Sequence, residues 1–390
     1  MTGGGRFDSM SMNIPNQLHR LGQSLWLDNI TRDLLNNGTL QHYIDEYAVT
    51  GLTSNPAIFQ HAIENSTAYD GAIRSDVKRG KSGEDLFFDL AFEDLARAAD
   101  MFRPVYDRTN GVDGYVSMEL PPTLAQDAVA TVGAATVLHA RGERKNLLMK
   151  IPGTKACLVA IEEAIFAGIP VKVTLLFSHG QYLAAAEAYM RGVERRIDAG
   201  LNPHVGSVAT IFVSRWDLAV ADQVPAELQN RLGIAMACQI YKAYRGLLSS
   251  PRWQRAFNAG ARPQRLLWAS TGTKDSRVSD TLYVQALAAP FTINTMPEAT
   301  LKAFADHGQL GPIMGADGGA CGETLQRFID AGIRFEELAE RLQTEGAENF
   351  VRTWNNLMAV LQTKSSHLAT TAQSNAPGRS EPVGVLRGRL

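Results

Sequence analysis

Cysteine is scarce in this chain. Its three cysteines, Cys157, Cys238 and Cys321, lie far apart and no two share a CxxC spacing. That excludes a disulfide framework and a structural zinc site, and it suits a reducing compartment, expected to be the cytoplasm. Long hydrophobic runs are missing too. No stretch reaches the ~18 uninterrupted apolar residues of a membrane span, and the opening MTGGGR has no apolar signal-peptide core. Neither sign of charge dominates, since 38 Lys and Arg face 40 Asp and Glu for a net charge of -2. A nucleic-acid partner is therefore not expected, and any basic site must be local. The histidines show no HExxH-like spacing, so no catalytic metal is expected. The glycine-rich GPIMGADGGACGET (311–324) lacks Gly-Lys-Ser/Thr and follows no strand-like run, which leaves it as a helix-to-helix connection.

What the chain does have is 45% hydrophobic and 20% charged residues, the balance of a globular protein, over a length that one α/β barrel can fill. Residues 1–13, rich in Gly, Ser and Met, and the tail 364–390, rich in Ser, Ala, Pro and Gly, carry no periodic apolar pattern and are expected to be disordered. Tail residues Arg379, Arg387 and Arg389 are read as solvated. Residues 14–363 are expected to form the folded domain.

Within that domain eight short apolar runs recur: SLWLDN (24–29), AVTGLTS (48–54), GYVSMEL (114–120), NLLMKIP (146–152), VKVTLLF (171–177), VGSVATIF (205–212), RLLWAS (265–270) and FTINTM (291–296). Each is followed by residues with helical spacing. Alternating strands and helices imply right-handed crossovers and a parallel sheet. A doubly wound open sheet competes, but eight repeats with polar residues at the strand ends favour a (β/α)8 TIM barrel. The stretch from Gly311 to Thr363 should add helices outside or across it.

The strand ends carry Asp28, Thr53, Asn55, Glu119, Lys150, Thr174 and Arg215. Barrel enzymes draw catalytic groups from the C-terminal ends of several strands. Lys150 closes the apolar run Leu147-Leu148-Met149. Inside a walled site, desolvation would leave its amine neutral and able to attack a carbonyl. On pattern alone a second reading stands beside this one, a strand-end lysine that merely pairs with an acid. His179 reads as a surface-loop residue, and Cys157 and Cys238 as small core residues.

The runs SLWLDNITRD, VTGLTSNPAIF, DGYVSMELPPTLAQD, NLLMKIPGTKA, VTLLFS, LLWASTGTKD and INTMPEATL, in this order, resemble the motif series of the transaldolases over residues 15–362. The resemblance implies a cofactor-free, metal-independent class I enzyme acting on sugar phosphates, and it leaves a homodimer open. Lys150 matches the Schiff-base lysine. Asp28 matches the acid/base that takes the hydroxyl proton as a carbon–carbon bond breaks. Glu119 and Thr174 match the pair that holds a proton-shuttling water. Thr53 and Asn55 match substrate-positioning residues, and Arg215 matches a phosphate anchor, helped by Ser270 and Lys274. The implied reaction moves a dihydroxyacetone unit: sedoheptulose 7-phosphate and glyceraldehyde 3-phosphate exchange with erythrose 4-phosphate and fructose 6-phosphate, as in the pentose phosphate pathway.

Three positions depart from the family's usual pattern. Lys172 stands where an active-site asparagine is usual, Thr210 replaces a serine, and Val278 replaces a tyrosine. Side chains alternate along a strand, so Lys172 should face the same side as Thr174. Two ammonium groups about 6 Å apart at an effective dielectric of about 20 repel by roughly 2 to 3 kcal/mol. That is about two pKa units, which would keep one amine neutral near pH 7. Lys172 then activates or replaces Lys150, or alters the substrate; the rival reading turns it toward an acid such as Glu119. Two other functions are weighed beside transaldolase: a repurposed aldolase or transferase for an unusual sugar or aldehyde, and a non-catalytic sugar-phosphate-binding barrel.

Overall fold

The computed structural model describes residues 12–374. Each expected apolar run becomes a strand: β1 Ser24–Asp28, β2 Val49–Thr53, β3 Val116–Glu119, β4 Leu147–Pro152, β5 Val171–Leu176, β6 Ser207–Phe212, β7 Gln264–Ala269 and β8 Ile293–Met296. The strands are parallel and close in sequence order, β8 pairing back onto β1. The open doubly wound alternative is excluded by that closure.

Two-residue alternation sorts each strand. In β1, Leu25 and Leu27 join the main core between strands and helices, while Trp26 joins a separate cluster with Tyr115, Leu148, Val208, Leu267 and Ile293 that fills the barrel interior. Trp26 fits because Gly51 faces it on the next strand; a Cβ there would come within 2.5 Å of the indole. At the N-terminal end of the barrel the indole N–H donates to Asp113 at 2.8 Å, and Arg265 donates to Ser24 Oγ at 2.7 Å. These contacts satisfy buried polar groups at that end, and a plug of bulky side chains separates them from the opposite mouth.

Helix starts follow local chemistry. Asn55 caps Pro56–Asn65 by accepting from Ile58 N at 3.1 Å, with Pro56 in the first turn. Ser178 and Gln181 form a reciprocal capping box at the start of His179–Asp198. His179 therefore opens a helix rather than lying in a loop. Cys157 is buried in the core, and Cys238 packs half-buried against it. The glycine-rich stretch 311–324 does connect helices, Glu298–His307 to Cys321–Asp330. Among the described residues no helix is long and apolar enough to cross a membrane.

The expected end of the fold at residue 363 is corrected. The last helix runs from Phe335 to Ser374. Lys364 Nζ donates to the carbonyls of Ile63 and Ser66, both at 2.6 Å, and lies 2.9 Å from the Asp70 carboxylate. Leu368 is buried in the same core as Leu357 and Leu361. Few large apolar residues sufficed because the segment continues a helix already docked, so it need not build a core of its own. At the other end Asn13 caps Ile14–Arg20 and donates to the Glu46 carbonyl at 2.6 Å, so it too belongs to the fold. The expectations for residues 1–11 and 375–390, with Arg379, Arg387 and Arg389, lie outside the described residues.

Candidate active site

The C-terminal ends of the strands surround a cavity of about 240 Å³, lined among others by Asp28, Thr53, Asn55, Lys150, Lys172, Thr174, Thr210, Arg215, Ser270 and Thr295. Alternation explains the set. In β1, β4, β6 and β8 the cavity residues Asp28, Lys150, Thr210 and Thr295 stand two positions after the plug residues Trp26, Leu148, Val208 and Ile293.

Lys150 is buried and donates to the Glu119 carboxylate on the neighbouring strand, where the two occupy paired positions. Burial pushes the Glu119 carboxyl above its ordinary value, opposed by the charge and hydrogen bond of Lys150 and then by Lys172. The reading of Lys150 as an acid-paired lysine thus describes its resting state. It does not exclude attack, provided the ammonium proton first moves to a neighbouring group.

Asp28 accepts a hydrogen bond from Thr53 Oγ1 at 2.7 Å, and Thr53 is also 2.7 Å from Thr295 Oγ1. This chain across β1, β2 and β8 holds the carboxylate at the cavity wall. The Asn55 side-chain oxygen is committed to its helix cap, leaving its amide nitrogen as the group it can offer. Thr174 Oγ1 and Thr210 Oγ1 are buried and have no partner among the described residues. Unsatisfied hydroxyls at a cavity wall are donors and acceptors waiting for a ligand or water.

Lys172 occupies the position paired with Lys150 on β5 and is buried. It shares the inward face with Thr174, as alternation predicts. Among the described residues no hydrogen bond or ion pair engages its amine; the acid expected to draw it, Glu119, is taken by Lys150. Burial first, and the Lys150 charge second, lower the Lys172 amine to about 7, against the pull of Asp28 and Glu119. Charge repulsion was expected to do this; desolvation proves the larger cause.

Arg215 lies half-buried at the rim with its guanidinium 5.1 Å from the Phe212 ring centroid. Ser270 adopts a left-handed backbone, φ 56°, and pairs with Ser214 at 2.9 Å beside it. Lys274, expected to help, is exposed in the following loop and does not line the cavity.

The strand-end reading missed a whole wall. Asn349, Phe350 and Thr353, from the last helix, close the cavity on one side. Gln343 fastens that helix by donating to the carbonyls of Leu175 at 2.8 Å and Gly153 at 3.1 Å. Gly346 makes room: a Cβ there would lie 2.8 Å from Leu175 Cδ2 and 3.3 Å from Arg215 Nη1. The only sequence signal was that small residue between polar positions on a helix, which carries no strand-end signature. Thr295 was missed too, although it is the polar residue near the end of β8.

The profile of the family described as transaldolase/fructose-6-phosphate aldolase matches residues 25–361. The chain belongs to that family. Among its relatives, a protein of Thermobifida fusca named transaldolase is 42% identical, the match covering 90% of this chain and 98% of the relative. One of Acidothermus cellulolyticus with the same name is 41% identical over 88% of this chain and 95% of the relative. A Nostoc punctiforme protein named transaldolase 2 is 37% identical over 91% and 98%. In this transaldolase-family chain the cavity gathers nine of the ten residues singled out in the sequence, if Glu119 is counted through its bond to Lys150; Lys274 is the exception.

Proposed function

We propose that this chain is a class I transaldolase, moving a dihydroxyacetone unit between sugar phosphates through a Schiff base on Lys150. The observation that carries this reading is a buried lysine and carboxylate in contact, Lys150 with Glu119, opening onto a cavity that also holds Asp28. Lys150 gives its proton up and attacks the ketone of a ketose phosphate such as sedoheptulose 7-phosphate or fructose 6-phosphate. Loss of water leaves an iminium, which draws electrons from the bond between the alpha and beta carbons as Asp28 takes the proton of the beta hydroxyl. The aldose phosphate departs, and the enamine left on Lys150 adds to an acceptor aldehyde. Hydrolysis then frees the new ketose.

The other residues have matching tasks. Thr174 binds the water released and used again at the imine carbon. Thr53 aims Asp28, Asn55 offers its amide to a sugar hydroxyl, and Arg215 with Ser270 holds the phosphate, a planar fork of donors against an anion. Neither a repurposed substrate nor a non-catalytic barrel is favoured, because the relatives named transaldolase align across nearly the whole chain. Borohydride treatment with fructose 6-phosphate followed by peptide mapping tests this. A reduced three-carbon adduct on Lys150, with erythrose 4-phosphate accepted in turnover, is expected. Turnover without any trapped adduct would overturn it.

A further inference from the structure

We propose that Lys172 is a second catalytic amine, which takes the proton from Lys150 and hands it to the oxygen that leaves the substrate carbonyl. The proposal rests on the transaldolase reading with Lys150 as the imine former.

Three observations carry it. Lys172 and Lys150 occupy paired positions on adjacent strands and line the same cavity. Glu119 binds Lys150, while among the described residues nothing hydrogen-bonds Lys172, so its amine is held by no structural contact. Thr174 and Thr210, flanking the same pocket, present unpartnered hydroxyls able to align a water or carbinolamine beside it. A buried lysine used only for structure would be expected to end on an acid or carbonyl.

The charged groups around it are Asp28 on β1, Glu119 on β3, Lys150 on β4 and Arg215 after β6. Two of these are carboxylates and two are cations, so the one proton shared by the lysine pair leaves the cluster neutral whichever nitrogen carries it. The first step moves that proton from the Lys150 ammonium to the neutral Lys172 amine. The lone pair of Lys150 then attacks the ketone carbon, the carbonyl π pair goes to oxygen, and the nitrogen proton passes to that oxygen to give a carbinolamine. Lys172 protonates the hydroxyl, which leaves as water while the nitrogen lone pair forms the iminium. The sum is ammonium plus ketone going to iminium plus water, with the charge unchanged. Hydrolysis runs the same path backwards.

Lys172 must be neutral to begin. With its amine near 7, imine formation rises with pH through that region. The test compares wild type, Lys172→Met and Lys172→Gln by single-turnover trapping of the fructose 6-phosphate imine with cyanoborohydride across pH 5.5–9. Both variants should form the Lys150 adduct roughly a hundredfold more slowly, within the range of general acid–base effects, and lose the rise near pH 7. Unchanged pH profiles in both variants would overturn the proposal, as would an adduct mapped to Lys172 in the wild type. Absence of an adduct on any lysine would instead sink the Schiff-base reading itself.

Discussion

The Phe350 ring centroid lies 4.6 Å from Lys150 Nζ. A residue of the last helix thus covers the amine of Lys150 on β4. It excludes water from the lysine and offers its ring face to the ammonium, and later to the iminium.

Removing that cover should slow chemistry more than binding. Phe350→Ala is expected to lower kcat about tenfold with a smaller change in KM, since cation–π contacts of roughly 1 to 2 kcal/mol at partly buried sites act on the charged intermediate. Phe350→Leu, which keeps the apolar cover, should lose less. Steady-state kinetics with fructose 6-phosphate and erythrose 4-phosphate check it; wild-type kcat in the alanine variant would remove Phe350 from the mechanism.

Arg215 and Asp28 should fail differently. Arg215→Ala removes an anchor used in ground and transition states alike, so KM for phosphorylated sugars should rise at least tenfold with kcat largely kept. Asp28→Ala removes the proton acceptor of bond cleavage, so kcat should fall by at least a hundredfold. Indistinguishable kinetic profiles would refute this division of labour.

Lys172 should cost stability in a pH-dependent way. Burial lowers its amine from the ordinary 10.5 to about 7, so between those values the folded chain binds fewer protons than the unfolded one. Wild-type stability therefore rises with pH across that window. Lys172→Met should raise the melting temperature by a few degrees at or below about pH 7, the gain shrinking toward pH 10.5. Thermal melts at pH 6.5, 8 and 9.5 measure it, and a gain that grows with pH would contradict the assigned burial effect.

The last helix gives a stability test independent of catalysis. Truncation after Thr363 removes Lys364, which binds Ile63, Ser66 and Asp70, and the buried Leu368. Loss of a buried leucine and a charge-assisted network is worth several kcal/mol, so the melting temperature should drop markedly. Lys364→Met, which breaks the network alone, should reproduce part of that drop. A truncated chain that melts like the full one would restore the disordered-tail reading.

Strand identity was legible because it rests on local chemistry. The runs around Leu25, Leu148 and Leu267 are apolar, short and punctuated, and alternation alone put Lys172 on the same face of its strand as Thr174. Parallel pairing and barrel closure followed from the order of elements. Asp28, Glu119 and Arg215 were likewise readable as polar residues closing or following apolar strands.

Partnership was another matter. Which acid Lys150 would hold, and that Lys172 would be left without one, depends on Glu119 and Lys150 sitting across one strand pair with Lys172 on the next, a spacing the linear chain does not contain. The cover by Asn349, Phe350 and Thr353 depends on where a helix about two hundred residues after Lys150 crosses the mouth, fastened there by Gln343. Lys364 and Leu368 read as tail because their partners, Ile63, Ser66 and Asp70, are some three hundred residues away. Sequence by itself determined which residues share a face of each strand and which lie near its C-terminal end, since side-chain direction alternates with the backbone repeat. Tertiary structure decided which of them meet, which stay unpartnered, and therefore which amine is free to carry a proton, since burial and distance in space set the energy of a charge.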